Sequence, residues 1–350
     1  MTSTMRQIEL VSIGAPEGSF RERTVNAPEP GPGQLRIAVR AAGFNPVDAK
    51  VRRGFVESAL PTVLGSDVSG VVDAVGPGVT GFAEGDEVAG YVFAAGSTGA
   101  YAEMLVVSAH FVTKKPAGLG FEEAAAIPLA GLTAIQAVRR VPFLGSESVL
   151  VTGASGGTGS FVVPLVRHLG ATSVLATATS EASSAYLFKQ FGLGSEEVLR
   201  ADRSTVSQLA GAIKNATRGG VHVAFDLVGG DMKKLAFESI RVGGHVVSIV
   251  EERSDPEIPI FSGRRSPLFS RSASFHYEFL GARALFGAPD DWRVYARGLE
   301  ELFALVTSGV IPVPRVEVLG PLAVATVVAA HERLDAGHAQ GKIVMTVKAR

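Results

Sequence analysis

The sequence predicts an α/β protein in two parts, a compact β-rich domain and a doubly wound parallel sheet with helices on both faces. Three observations carry this. Up to Gly120 short β-like runs alternate with glycine- and proline-rich turns, and from Phe121 onward strands and helices alternate. At 149–171 an apolar strand, a glycine-rich turn and a helix follow one another as VLVTGASGGTGSFVVPLVRHLGA. Short strands joined by tight turns form antiparallel sheets, whereas a strand–helix–strand rhythm lays successive strands parallel.

In chain order, Gln34–Ala42, Val68–Val75, Glu87–Val92 and Ala100–Val107 read as strands, separated by PEPGPGQ, VGPGVTGFAEGD and AAGSTG. The stretch FEEAAAIPLAGLTAIQAVRRV (121–141) reads as helix. Strands are then expected at 149–152, 173–178, 197–200, 222–228 and 244–250, and helices at roughly 158–169, 181–191, 204–216 and 231–240. Residues 251–272 read as an inserted loop carrying Arg264, Arg265 and Arg271. A strand at 273–279, helices near 291–308 and 322–336 and the terminal strand KIVMTV close the chain.

Bulk properties bound the function. The 350 residues suffice for two cored domains, and 46% hydrophobic with 19% charged residues and 41 glycines fits a folded α/β chain. A formal net charge of −1 gives no basic face for nucleic acid or anionic membranes, so neither partner is expected. No run reaches membrane-spanning length and MTSTMRQIEL lacks an apolar signal core, which makes a cytoplasmic location the expectation. The chain has no cysteine, which excludes disulfides, thiolate zinc sites and a cysteine nucleophile. Its seven histidines, at 110, 168, 222, 245, 276, 331 and 338, show no metal-binding spacing, so no metal is expected.

The glycine turn fits two chemistries. Gly153, Gly156 and Gly159 satisfy G-x-x-G-x-x-G, a variant of the dinucleotide fingerprint. There the backbone bends sharply and the N–H groups of Ser155, Gly157, Thr158 and their neighbours at the next helix start meet a pyrophosphate. The same residues fit G-x-S-x-G, a nucleophile elbow with Ser155 as nucleophile, for which Asp226 and His276 can be nominated as partners. The strand 173–178 completes a βαβ unit, and the further strands of the same sheet follow the turn rather than precede it. Both favour the cofactor.

The end of the second strand bears on cofactor choice. It reads Ala176-Thr177-Ala178-Thr179-Ser180, without the carboxylate that usually holds the ribose 2′-hydroxyl of NAD. A carboxylate about 4 Å from a 2′-phosphate costs on the order of 4 kcal/mol at an effective dielectric of 20. Its absence permits NADPH, with Thr179, Ser180, Ser183, Lys189 and Arg200 as candidate phosphate partners; Glu181, one step later, keeps the choice open.

Seven collinear segments resemble the medium-chain dehydrogenase/reductase superfamily, in its zinc-free quinone oxidoreductase and enone reductase branch. They are AGFNPVDAKVRRGF (42–55), LGSDVSGVVDAVGPGV (64–79) with GFAEGDEV (81–88), AYAEML (100–105), AAAIPLAGLTAIQAV (124–138), VLVTGASGGTGS (149–160), DLVGGD (226–231) and GKIVMTV (341–347). The resemblance implies a GroES-like β domain of residues 1–125 with 280–350, a Rossmann domain of residues 126–279, and an active site in the cleft. Where zinc alcohol dehydrogenases carry a catalytic cysteine this chain has Asn45, and where they carry His-Glu it has Ser66-Asp67.

By resemblance, then, the expectation is an NADPH-dependent, zinc-independent reductase of quinones or of the C=C of α,β-unsaturated carbonyl compounds, acting on a small electrophile as a homodimer. Asn45 and Lys50 are the expected donors to the carbonyl oxygen. Thr133 is expected at the nicotinamide amide, Val228 and Gly229 beside its ribose, and Lys342 near the cofactor phosphates. Tyr91 and Phe93 are candidates for shaping the substrate pocket, and Asp48 and Asp67 for holding turns. The family's lysine after the second strand is replaced by Ser183, and its tyrosine near the third by Arg200-Ala201. An NADPH-binding sensor or structural protein without turnover, and a hydrolase using Ser155, are the alternatives.

Overall fold

The computed structural model describes residues 4–92, 98–252, 266–337 and 339–348. Phe93, Arg264, Arg265 and His338 lie outside them. In chain order the strands are β1 (Thr4–Leu10), β2 (Phe20–Asn26), β3 (Gln34–Phe44), β4 (Thr62–Val63), β5 (Asp67–Val75), β6 (Glu87–Tyr91), β7 (Met104–Ser108), β8 (Val112–Lys114), β9 (Ser148–Val151), β10 (Ser173–Ala178), β11 (Val198–Arg200), β12 (Val221–Asp226), β13 (Ile240–Ser248), β14 (Ser274–Tyr277), β15 (Val316–Pro321) and β16 (Lys342–Thr346). The α-helices are α1 (Pro46–Arg52), α2 (Phe121–Ala125), α3 (Pro128–Val138), α4 (Gly159–His168), α5 (Glu181–Phe191), α6 (Val206–Ala216), α7 (Asp231–Ser239), α8 (Pro267–Ser270), α9 (Ala282–Phe286), α10 (Arg293–Thr307) and α11 (Val324–Ala336). None is long and apolar enough to cross a membrane.

The chain divides into two compact units. One comprises Met1–Leu132, Gly281–Gly309 and Val313–Arg350, the other Thr133–Leu280 with Val310–Pro312. The first is the β-rich unit, of the GroES-like kind. Its main sheet runs β15-β16-β3-β5-β6-β8, with β7 also paired to β3, and β2-β1-β4 form a small second sheet. Strand β3 alternates half-buried and buried residues until Ala41–Phe44, where both faces are covered.

The second unit is a six-stranded parallel sheet in the order β11-β10-β9-β12-β13-β14, a Rossmann-like arrangement. Its central strand β9, SVLV, is buried along its whole length, as a strand covered on both faces requires. Leu150, Leu175, Ala224 and Val246 of the strands pack with Leu209, Ile213, Leu235 and Phe237 of the helices.

Several element boundaries differ from the expected ones for identifiable reasons. The helix expected over 121–141 divides at Pro128, which lacks an N–H and biases Ile127 away from helical geometry. The strand expected over 222–228 stops at Asp226, where the N–H groups of Val228 and Gly229 turn back onto the Asp226 carboxylate. The expected strand 100–107 is confined to Met104–Ser108, and β1 and β2 add a hairpin that sequence reading passed over.

Candidate functional site

The direction of chain progression reverses at β9: β10 and β11 lie to one side, β12, β13 and β14 to the other. Loops at the carboxyl ends of β9 and β12 therefore diverge, which in open parallel sheets makes the ligand crevice. The turn after β9 is built for close approach. Gly153 adopts φ of 67°, and a Cβ on it would lie 2.6 Å from Val228 Cγ2. A Cβ on Gly159 would lie 2.5 Å from both Ala154 Cα and Gly153 O, so only glycine admits this entry into α4. Gly156 meets only Gly153 O, at 3.4 Å, and its N–H donates to that oxygen at 3.0 Å.

Among the described residues the N–H groups of Ser155, Gly157 and Thr158 make no hydrogen bond. They stand at the amino end of a ten-residue helix, where N–H groups lack intrahelical acceptors and the dipole favours an anion. The donor set and the glycine cradle fit a pyrophosphate. Gly153 N–H donates to Thr177 Oγ1 at 3.2 Å, which binds the turn to β10.

On the other side, fully buried Asp226 organises the loop after β12. Its Oδ1 accepts N–H bonds from Val228 (3.2 Å) and Gly229 (2.8 Å), and its Oδ2 accepts from Ser248 Oγ at 2.7 Å. Gly153 and the Val228–Gly229 loop are thus brought together. This arrangement removes the partners of the nucleophile elbow. Asp226 is engaged by its own loop, and His276 Nε2 faces His245 Nδ1 at 3.3 Å, so Ser155 has neither acid nor base.

At the end of β10, Ser180 and Ser183 cap α5 reciprocally: Ser183 N–H donates to Ser180 Oγ at 3.1 Å, and Ser183 Oγ accepts from Thr179 N–H (3.1 Å) and Ser180 N–H (3.0 Å). The hydroxyl of Ser183, a candidate phosphate partner, is thus buried and engaged in the cap. Lys189 lies exposed further along α5. Arg200, beside Ala178 in the sheet, forms a fork on Asp202 (Nε to Oδ1 2.8 Å, Nη2 to Oδ2 2.7 Å) and also donates to Glu181 Oε1 at 2.6 Å. The Arg200 guanidinium holds the Glu181 carboxyl below the usual carboxylate range. Thr133 is buried within α3.

The remaining candidates lie in the β-rich unit. Asn45 and Lys342 meet there on Asp67. Asn45 Nδ2 donates to Asp67 Oδ2 at 2.8 Å; Lys342 Nζ donates to Asp67 Oδ2 (2.9 Å), Phe44 O (3.3 Å) and Asn45 Oδ1. Asp67 Oδ1 accepts the Leu129 N–H at 2.6 Å, at the start of α3. Asn45, Asp67 and Lys342 are all buried. The Lys342 ammonium, expected near the cofactor phosphates, is covered here and engaged by three protein oxygens. The Asn45 amide is taken up by Asp67 and Lys342, and its backbone N–H donates to Asp48 Oδ2 at 2.8 Å, which fixes the start of α1. Lys50, half-buried near the end of α1, has no hydrogen bond or ion pair from its ammonium among the described residues.

Burial pushes the Asp48 carboxyl up to about 7 against the backbone N–H bonds from Asn45 and Gly65. His331, between the rings of Phe20, Phe44 and Tyr101, is pushed down to about 3 by burial and by Arg52, whose Nε donates to its Nδ1 at 3.2 Å. Sequence reading missed this pair and also missed Lys233, buried with its ammonium on Val250 O (2.5 Å) and on Glu252, which in turn accepts Gly230 N–H at 2.9 Å. These partners lie 17 to 279 residues apart, and no local pattern announces them.

Comparison with known proteins agrees with this geometry. The alcohol dehydrogenase GroES-like domain matches residues 31–117, and the zinc-binding dehydrogenase domain matches residues 193–345. The chain is 30% identical over 342 residues, 97% of its length and 99% of the relative's, to a quinone oxidoreductase of Pseudomonas aeruginosa. Over 166 residues, 45% of this chain and 43% of the relative, it is 39% identical to a 2-methylene-furan-3-one reductase of Solanum lycopersicum. A mycobacterial protein solved in complex with NADPH superposes with a TM-score of 0.82 at 28% identity, covering 97% of this chain and 99% of that one. The chain belongs to the medium-chain dehydrogenase/reductase superfamily, in its quinone oxidoreductase branch. It is an oxidoreductase of the kind that works with a nicotinamide cofactor.

Proposed function

We propose that this protein is an NADPH-dependent, zinc-independent reductase that delivers hydride to a quinone or to the C=C of an α,β-unsaturated carbonyl compound. The observation that carries the reading is the glycine turn at the switch point of the parallel sheet, with the N–H groups of Ser155, Gly157 and Thr158 left for a pyrophosphate. When bound, the nicotinamide supplies the hydride. Val228 and Gly229, fixed by Asp226, are suited to lie beside the nicotinamide ribose. The substrate's carbonyl oxygen gains negative charge as hydride arrives and needs a donor. We assign that donor to Lys50. Asn45 holds the turn in front of it, tied to Asp67 and Lys342.

Zinc independence is supported by what occupies the positions of the zinc ligands. Asn45 and Asp67 are bridged there by an ammonium, Lys342, and both Asp67 oxygens are engaged. The homodimer stays part of the proposal; β14 is an edge strand that leaves Tyr277 half exposed.

The test is a titration of purified protein with NADPH and with NADH, followed by protein fluorescence, together with oxidation of each by a quinone and by an enone. Micromolar NADPH binding with turnover on one acceptor class is expected. Absence of binding by either cofactor defeats the reading, and tight NADPH binding without oxidation across acceptors favours a sensor.

A further inference from the structure

Two guanidiniums converge on one carboxylate oxygen beside the end of β10. Arg200 Nη1 and Arg203 Nη2 both donate to Glu181 Oε1, at 2.6 Å and 3.0 Å. The two ends of this arrangement differ in how firmly they are held. Arg200 is backed by the Asp202 fork, which fixes the plane of its guanidinium, and its side chain is 20% exposed. Glu181 is 75% exposed, is the first residue of α5, and has no other partner among the described residues. An exposed carboxylate on a pre-formed guanidinium pair is a weakly held occupant, because water competes for both partners and the long side chain gains rotamer freedom on leaving.

The place of this pair in the fold says which anion it could receive. Arg200 stands opposite Ala178, the last residue of β10, and β10 is bound to the pyrophosphate turn through Thr177 and Gly153. In a parallel sheet of this order the adenosine ribose lies over the end of that second strand. A phosphate monoester presents three oxygens to planar guanidinium donors, one carboxylate oxygen far less.

We propose that Glu181 is a displaceable anion on Arg200 and Arg203, and that its exchange for a 2′-phosphate sets the discrimination between adenosine ribose with and without that phosphate. In the free protein Glu181 keeps the two arginines paired and positioned. On binding of a 2′-phosphorylated ligand the carboxylate swings out to solvent and the phosphate takes its place. Without a 2′-phosphate the carboxylate stays, and the ligand gains nothing from either arginine. The inference rests on the dinucleotide reading.

The experiment is isothermal calorimetry of the full-length protein with adenosine 2′,5′-bisphosphate and with adenosine 5′-monophosphate, which differ only in the 2′-phosphate. Glu181→Gln, which removes the charge and keeps the shape, is expected to raise 2′,5′-bisphosphate affinity about three- to tenfold, the size expected when an exposed competing anion is withdrawn. It leaves monophosphate affinity within about twofold. Arg200→Met is expected to lower 2′,5′-bisphosphate affinity at least about tenfold, as loss of a charge-assisted phosphate contact does. Thermal unfolding of each variant verifies that the fold persists. Weaker monophosphate binding in Glu181→Gln overturns the proposal, since Glu181 would then be an acceptor for the ribose hydroxyl. Unchanged 2′,5′-bisphosphate binding in Glu181→Gln also overturns it and leaves the dinucleotide reading standing. Failure of the wild-type protein to bind either nucleotide defeats that reading and this inference together.

Discussion

The molecule holds two cation–carboxylate clusters of similar chemistry and opposite character. In the β-rich unit the Lys342 ammonium is buried and surrounded by Asp67, Asn45 and the Phe44 carbonyl. In the parallel-sheet unit Arg200 and Arg203 share Glu181 at the surface. The lesson is that solvent access decides what a cation can do. A buried, fully bonded ammonium fixes the geometry of the chain around it, here the Asn45 turn and the start of α3. A surface guanidinium whose anion is loosely held remains available to a ligand.

The sharpest way to break that contrast is to remove the buried partner. Lys342→Met leaves the Asp67 carboxylate buried without its cation, and a loss of about 3–5 kcal/mol in unfolding free energy is expected. Neutralising both in Asp67→Asn/Lys342→Met is expected to recover most of that loss, as chemical denaturation of the four proteins in a double-mutant cycle shows. A double variant as unstable as the sum of the singles would mean the two groups are not a coupled pair. The equivalent removal at the surface, Glu181→Gln, is expected to leave the unfolding midpoint unchanged.

Next in size is Lys50→Met. Loss of a single donor to a developing oxyanion typically lowers kcat about 10²–10³-fold. Steady-state kinetics on the enone and the quinone are expected to show that fall in kcat with NADPH affinity unchanged. A change in KM alone would return Lys50 to a surface role.

The last effects concern two buried titrating groups in the β-rich unit, and they have opposite sign. Asp48 rises from 3.8 to about 7 on folding, so its contribution is complete below pH 3.8 and is lost as pH climbs toward 7. His331 falls from 6.5 to about 3, so its contribution is complete above pH 6.5 and is lost as pH drops toward 3. The two slopes oppose one another across the range from pH 4 to 6.5. Asp48→Asn is therefore expected to make stability rise more steeply with pH there, and His331→Asn to make it fall, as urea midpoints measured across that range report. Parallel curves for the wild type and both variants would contradict the assignment.

Much of the architecture was legible because it is written in local pattern. Helix α5 begins at Glu181 and ends at Phe191, as expected, since Ser180 caps one end and Gly192 in the left-handed region closes the other. The turn 153–159 was legible for the same reason: its glycines lie close together in the chain, and Gly159 answers a steric demand made by Gly153 and Ala154, whereas the demand on Gly153 comes from Val228 across the sheet. What resisted was long-range pairing. Asn45 was nominated by position, yet its engagement by Asp67 and Lys342, 22 and 297 residues away, depends on how β3, β5 and β16 come together. Lys342 was placed near the cofactor phosphates by resemblance alone, and its burial on Asp67 and Asn45 depends on the same long-range pairing. Arg200 and Glu181 could be nominated separately, but only the pairing of β10 with β11 places one on the other.

The central claim is hydride transfer from a nicotinamide bound at the glycine turn. The most direct test is a single-turnover reaction with NADPH deuterated at the transferable position of nicotinamide C4 and an enone acceptor, followed by mass spectrometry and NMR of the product. Deuterium at the product's β-carbon, in step with NADPH oxidation, is the predicted result. Oxidation without deuterium in the product, or no oxidation at all with either an enone or a quinone, would contradict it.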